Sequence, residues 1–318
     1  MARRTDMELV PESLSYLKNL VRAAVESQVA ARRRGRMSQP AGQAPARVVR
    51  GRRGLSVESR SVSDVRPARR PRLRLSRANH EPSHPIVKVA AWLVHVVLTP
   101  WGRRDWRQAE KLPQTGGVLV VFNHISKFDP LIVGDFVVWS GRWPHFLAKR
   151  ELFRTLPIGW LLKAGECVPV DRASRHAAAA LGPAEEALAQ GKAIVIYPEG
   201  TETGDPDIWP MVARTGAARL ALATRVPVIP CAQWGAHEVM SPTQRAPRKF
   251  CGQKFQVICG DPVDLTEFYD QEQTPELLRR VTTKLMDAIT ALLEQLRGET
   301  APVDRWDRTA KQRLPVER

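Results

Sequence analysis

The chain has 318 residues, 43% of them apolar, enough for a packed core in one large domain or two small ones, which excludes a wholly disordered protein. A net charge of +16 points to a phosphate-rich partner only if it is spread over the fold, and it is not: 19 basic residues against 6 acidic ones precede His80. The remainder is nearly balanced.

Taken from the N-terminus, apolar residues recur at Leu14, Leu17, Val21 and Ala24, with Pro11 placed to open a helix and Gly35 to close it. This predicts a short amphipathic helix within residues 1–35. Residues 36–83 are rich in Arg, Pro, Ser, Gly and Ala, without periodicity or aromatic residues, and predict a basic disordered linker. Such an arm suits electrostatic attraction to an anionic membrane surface.

Residues 86–98 are largely apolar, with Trp92 inside and Trp101 just beyond, and predict a helix too short to span a bilayer that lies in the membrane interface or plugs the core. No segment reaches the roughly 18 uncharged apolar residues of a spanning helix, and the N-terminus lacks the pattern of a secretory signal. Both features predict an intracellular chain.

Short apolar strands then alternate with amphipathic helices: strands over 117–122, 193–197, 226–232 and 254–259, and helices over 130–139, 176–190, 215–223 and 275–296. The pattern predicts an α/β fold with a mostly parallel sheet flanked by helices. The last helix carries a stripe at Leu278, Val281, Leu285, Ile289, Leu292 and Leu296. The domain is expected over 84–298, with a frayed, charged tail over 299–318. Cys167, Cys231, Cys251 and Cys259 form no Cys-x-x-Cys or metal-type grouping and fit reduced thiols.

Two strand ends carry the chemistry. At the first, Val118-Leu119-Val120-Val121-Phe122 runs into Asn123-His124-Ile125-Ser126-Lys127-Phe128-Asp129. Five helical steps turn through about 140°, so His124 and Asp129 meet only if His124 leaves the strand in a turn and Asp129 begins the next helix. Asp129 then fixes the imidazole tautomer and frees the other nitrogen to take a proton from an alcohol. The spacing alone is a weak signal, since a structural histidine beside a capping Asp is its commoner origin. At the second strand end, Ala193-Ile194-Val195-Ile196 is followed by Tyr197-Pro198-Glu199-Gly200-Thr201. Gly200 there permits close backbone approach, and Thr201 with adjacent amides suits phosphate or hydroxyl oxygens.

Asn123-His124-x-Ser126-x-x-Asp129 and Tyr197-Pro198-Glu199-Gly200-Thr201 resemble the first and third motifs of the glycerolipid acyltransferase family, typified by 1-acylglycerol-3-phosphate acyltransferases. Ala148-Lys149-Arg150-Glu151-Leu152-Phe153, Val168-Pro169-Val170-Asp171-Arg172 and Val226-Pro227-Val228-Ile229-Pro230 are similar to further blocks of that family. The resemblance covers residues 101–264. It implies transfer of a fatty acyl group from acyl-CoA or acyl carrier protein to the free hydroxyl of 1-acylglycerol 3-phosphate, giving phosphatidic acid, with no metal or bound cofactor. By that resemblance His124 is the general base and Asp129 its orienting partner, while Arg172, Glu199, Gly200 and Thr201 line the acceptor site; Asn123 and Ser126 are grouped with the substrate-binding residues, and Ser126, outside any Gly-x-Ser-x-Gly turn, suits a polar support or helix cap rather than a nucleophile. The enzyme is then expected at the cytoplasmic face of the cell membrane, peripheral or monotopic.

One position departs from the family pattern: Glu202 stands where Arg commonly follows Glu-Gly-Thr, reversing the charge beside the expected phosphate. Arg214, just before a predicted helix start, is a compensating cation. Lys149, Arg150 and Arg219 are further candidates whose commoner role is surface charge. Other acceptors, a lysophospholipid with a larger head group or a glycolipid, fit the same motifs. A non-enzymatic membrane or nucleic-acid module built on the basic arm is disfavoured, since the arm lacks interleaved aromatics and no specific nucleic acid is expected.

Overall fold

The structure, a computed structural model, describes residues 75–155, 158–170, 181–244 and 252–316. The expected N-terminal helix and the arm up to residue 74 lie outside the described residues, as do Arg172 and Cys251.

Seven strands form one sheet in the order β1-β7-β6-β2-β5-β3-β4. Their ranges are β1 Gly102–Arg107, β2 Val118–Phe122, β3 Pro144–Lys149, β4 Val168–Val170, β5 Ala193–Ile196, β6 Val228–Trp234 and β7 Gln253–Cys259. The block β6-β2-β5-β3-β4 is parallel; β7 pairs antiparallel with β6, and β1 parallel with β7. All five residues of β2 are buried. Val118, Val120 and Phe122 face one core, Leu119 and Val121 the other, as a strand covered on both faces requires.

The helices are α1 Leu75–Ala78, α2 Pro85–Trp101, α3 Asp129–Trp139, α4 Ile158–Ala164, α5 Gly182–Ala189, α6 Gly216–Thr224, α7 Ala236–Val239 and α8 Pro275–Arg297. The first core takes Leu98 from α2 and Ile132, Val133, Phe136 and Val137 from α3. The second takes Ala184 and Leu188 from α5, Ala217 to Leu222 residues from α6, and Leu278, Val281, Leu285 and Ile289 from α8. The α8 stripe is therefore buried as its spacing predicts. Thr274 caps that helix by accepting the amide of Leu277 at 3.1 Å, and Gly298 ends it in the left-handed conformation at φ 69°.

Three expectations are corrected. Strands β1, β3 and β4 were not predicted, because Gly-Arg-Arg-Asp-Trp-Arg and Pro-His-Phe-Leu-Ala-Lys lack an apolar run and β4 has only three residues. Residues 75–83, placed in the linker, belong to the fold: Asn79 is buried, and Glu81 pairs with the fully buried Arg142 and accepts the amide of Trp143 at 2.6 Å. The tail after Gly298 is not frayed, since Arg305–Asp307 (β8) and Gln312–Leu314 (β9) form an antiparallel hairpin.

Candidate active site

Strands β2 and β5 are neighbours, with Val121 opposite Ile196, so both polar turns emerge side by side at the same end of the parallel block. His124 leaves β2 in a turn and Asp129 opens α3, its amide donating to the Ser126 carbonyl at 3.1 Å. His124 Nδ1 lies 2.8 Å from Asp129 Oδ2. That same oxygen accepts the amides of Ile125 at 2.6 Å and Ser126 at 2.9 Å, which fixes the carboxylate before the imidazole meets it. A carboxylate so placed is an acceptor, hence Nδ1 carries the hydrogen and Nε2 offers a lone pair.

The ring is held from its face as well as its edge. Tyr197 stacks on His124 with centroids 4.2 Å apart and 21° between planes. Burial opposes a charge on His124, but the hydrogen bond and charge of Asp129, then the charges of Glu202 and Glu199, outweigh it and hold the imidazole pKa above the ordinary 6.5. Burial, helped by the Asp129 charge, holds the Tyr197 hydroxyl well above its usual range, so it stays protonated.

Three residues grouped with the substrate-binding set hold the backbone, Ser126 as the polar support its sequence context suggests. Asn123 is fully buried; its Nδ2 donates to the Gln233 carbonyl at 3.0 Å and its Oδ1 accepts the Gln233 amide at 2.8 Å, continuing the β2–β6 ladder by side chain. Ser126 donates its hydroxyl to the Met240 carbonyl at 2.5 Å and accepts the Phe128 amide at 3.0 Å. Glu199, 2% exposed, accepts the amides of His124 at 2.9 Å and Met211 at 3.0 Å. Burial pushes its carboxyl up to about 7, against the Met211 and His124 amides and the His124 charge.

Gly200 closes the second turn at φ 74°, its amide bonded to the Tyr197 carbonyl at 2.9 Å. An added Cβ there would lie 3.2 Å from the Arg214 side chain, so Arg214 lies against the turn, and its amide bonds to the Pro198 carbonyl at 2.9 Å. Thr201 donates to Glu202 at 3.2 Å. Burial raises the Glu202 pKa, but its own amide, His124, Thr201 and Lys127 together lower it below its ordinary value, leaving a carboxylate beside the histidine. Lys149 and Arg150 are exposed at the end of β3, at the same end of the parallel block as His124 but two strands away, and Lys149 is paired with Val170. Arg219 is half-buried on α6.

The stacking Tyr197, the Thr203 amide that donates to the His124 carbonyl at 2.7 Å, and the Met211 amide on Glu199 were not singled out from sequence. Only Tyr197 carried a signal, as the last residue of the strand expected over 193–197 and the first of the Tyr-Pro-Glu-Gly-Thr motif. Among the described residues no group of three His, Cys, Asp or Glu side chains is arranged to hold a metal ion.

With a His-Asp pair and a Pro-Glu-Gly-Thr turn adjoining at the ends of two parallel strands, residues 103–234 match the family model described as Acyltransferase. This stretch belongs to the acyltransferase family. The chain is 34% identical over 169 residues to a probable 1-acyl-sn-glycerol-3-phosphate acyltransferase of Mycoplasma pneumoniae, a match covering 50% of this chain and 61% of that one. It thus spans less than two thirds of that relative's length. It is also 27% identical over 184 residues to a 1-acyl-sn-glycerol-3-phosphate acyltransferase of Bacillus subtilis, covering 57% of this chain and 84% of the relative. The fold matches the crystal structure of the 1-acyl-sn-glycerophosphate (LPA) acyltransferase PlsC from Thermotoga maritima, with TM-score 0.54, 22% identity, and coverage of 68% and 82%. The acyltransferase-family stretch begins in β1 and ends with β6, so α2, β7, α8 and the terminal hairpin lie outside it.

Proposed function

We propose that this chain is an O-acyltransferase that carries a fatty acyl group from a thioester to the free hydroxyl of 1-acylglycerol 3-phosphate. The observation that carries the reading is the His124 Nδ1 to Asp129 Oδ2 contact of 2.8 Å, with the second ring nitrogen left to meet a substrate. In the reaction Nε2 takes the hydroxyl proton as the oxygen attacks the thioester carbonyl. The new C–O bond forms, the C–S bond breaks, and the proton passes to the departing thiolate. Asp129 steadies the transient imidazolium, and no acyl-enzyme is required. The two bacterial relatives, both named 1-acyl-sn-glycerol-3-phosphate acyltransferases, support this acceptor.

A second reading keeps the chemistry and changes the acceptor, because the Glu202 carboxylate adjoins the reacting histidine and opposes a phosphate there. An acceptor with a neutral or cationic head group meets no such opposition. Thiol release from oleoyl-CoA by wild type and His124→Ala, with lysophosphatidic acid, lysophosphatidylcholine or no acceptor, decides both points. Release that depends on an acceptor and vanishes in His124→Ala supports transfer, and the better lysolipid selects the reading. Equal release by the variant removes the mechanism.

We also propose peripheral attachment to an anionic membrane. No helix among the described residues is long and apolar enough to cross a bilayer. On α2, Val89, Trp92 and Leu93 occupy one face and are about half exposed, while Val94, Val97 and Leu98 pack inward. Helix α4 packs beside α2 and exposes Trp160 and Leu161. Arg150, Arg154 and Lys163 line a cleft of about 460 Å³ close by, a combination of Trp, aliphatic and basic groups suited to a headgroup layer.

A further inference from the structure

The loop that follows the Glu-Gly-Thr turn is tied to residues near the end of the chain, far outside the acyltransferase-family stretch. Arg313 on β9 grips Asp205 with two parallel hydrogen bonds, Nε to Oδ2 and Nη2 to Oδ1, both 2.9 Å, and also reaches Asp207 at 2.7 Å. Asp205 is 1% exposed, so this is not the solvent-screened pair that contributes little. The Trp306 carbonyl on β8 accepts the Val212 amide at 2.9 Å, and Arg297 lies 3.9 Å over the Trp209 ring while donating to the Asp207 carbonyl at 2.8 Å.

The clamped loop is tightly wound. The Thr203 hydroxyl donates to the Trp209 carbonyl at 2.7 Å and accepts the Asp205 amide at 3.2 Å. Ile208, a β-branched residue, sits at φ 63°, a backbone conformation that persists only where its surroundings impose it. From the two sides of this turn come the amides that hold the candidate base: Thr203 on the His124 carbonyl at 2.7 Å, and Met211 on Glu199, whose other oxygen holds the His124 amide.

We infer that Arg313 is a positioning residue for His124: the terminal hairpin clamps Asp205, and the clamped loop fixes the histidine through Thr203 and Met211. Without the guanidinium, Asp205 is a buried carboxylate short of its partner, and the loop must open to hydrate it. Opening withdraws both amides from His124 and Glu199. The inference rests on the acyltransferase reading for its kinetic test alone.

The experiment uses the full chain as wild type, Arg313→Ala and Arg313→Lys. Three quantities are measured: kcat and both KM values for oleoyl-CoA and the preferred lysolipid, amide exchange of Thr203 and Met211, and the downfield NMR signal of the His124 Nδ1 proton. In Arg313→Ala we expect kcat to fall about tenfold or more with both KM values within about twofold, because Arg313 is spent on Asp205 and Asp207 and acts through the loop. The two amides exchange faster, the Nδ1 signal broadens or shifts, and α8 keeps its protection. Arg313→Lys, which retains the charge but not the two-pronged grip, recovers part of kcat. A folded Arg313→Ala protein with unchanged kcat or an unchanged Nδ1 signal overturns the inference. If Arg313→Ala loses protection throughout, Arg313→Lys decides, and full activity with rapid Thr203 exchange in that variant is equally fatal. Should wild type show no His124-dependent transfer, the acyltransferase reading falls, and the clamp is judged on exchange and the Nδ1 signal.

Discussion

The Glu199 carboxylate accepts the backbone amide of His124 at 2.9 Å across 75 residues of sequence, and thereby ties the β5 turn to the residue that emerges from β2. Burial sets its carboxyl at about 7 against an ordinary 4.5. The folded state therefore binds this proton more tightly than the unfolded chain. Its stabilising contribution is complete below 4.5 and is lost as pH rises through about 7. At 1.36 kcal/mol per pH unit the loss is about 3 kcal/mol. Glu199→Gln removes the titration and turns one amide donor against a backbone N–H. In denaturant unfolding from pH 4 to 8, the wild-type curve is expected to fall by that amount relative to the variant, and a constant difference would show that folding leaves the Glu199 pKa at its ordinary value.

Asp129 places three donors on one oxygen, from His124, Ile125 and Ser126. Asp129→Asn keeps the shape, and the Ile125 and Ser126 amides hold its oxygen where Oδ2 was, but it removes the negative charge that steadies the imidazolium. A fall in kcat of about a thousandfold with little change in KM is expected, by analogy with other histidines deprived of their carboxylate. A fall of less than about tenfold would mean that the Asp129 charge contributes little to the transition state.

Glu202 acts on the same histidine through space. The imidazole must be neutral to accept a proton, so the rate climbs with pH until it passes the raised His124 pKa. Removing a nearby negative charge makes the imidazolium less favourable, and Glu202→Gln is expected to move the acid limb of kcat/KM to lower pH. Glu202→Arg should move it further and shift preference toward lysophosphatidic acid over lysophosphatidylcholine. Unmoved limbs in both variants would place the Glu202 charge too far from the ring to matter.

The legible parts of this chain were those governed by local periodicity. The five apolar residues of β2 and the α8 stripe from Leu278 to Leu296 follow from spacing, because each is a pattern written in consecutive residues, and the meeting of His124 with Asp129 needs only one local turn. The shell around the pair is another matter. Asn123 imitates backbone for Gln233, 110 residues away, and Arg313 reaches Asp205 across 108. A polar residue gives the same signal in sequence whether it faces a ligand or a distant carbonyl. The hairpin after Gly298 was missed for a related reason: its strands have three residues each and are held by ion pairs and by Trp306, leaving no apolar run to count.

The apolar face of α2 and α4 predicts its own assay. Trp92→Ser with Trp160→Ser removes the two aromatic anchors, which are each 50% exposed and contribute little to the core. Binding to vesicles of phosphatidylglycerol and phosphatidylcholine at 0.1 M salt is expected to weaken about tenfold or more. Activity on detergent-dispersed lysolipid is expected to change less than about twofold. Unaltered vesicle binding would assign attachment to the basic N-terminal arm or to another surface.

Arg142 sets how much of the N-terminus the domain can lose. It is fully buried, and its guanidinium pairs with Glu81 while donating to the carbonyls of Pro113 at 2.6 Å, Gly116 at 2.8 Å and Gly191 at 2.7 Å. The cation thus joins the β2 entrance, the end of α3 and the β5 entrance, and Glu81 is the carboxylate that neutralises it. Deleting residues 1–74 leaves this arrangement whole. Deleting 1–83 strips the counter-charge from a cation that has no route to water, a loss that costs about 3–5 kcal/mol for a broken buried pair. Glu81→Gln in the full chain isolates the charge from the rest of the deletion and is expected to account for most of that cost. Urea unfolding of the two truncations and the point variant tests this, and equal stability of the 1–74 and 1–83 deletions would show that the three carbonyls alone suffice to hold the buried cation.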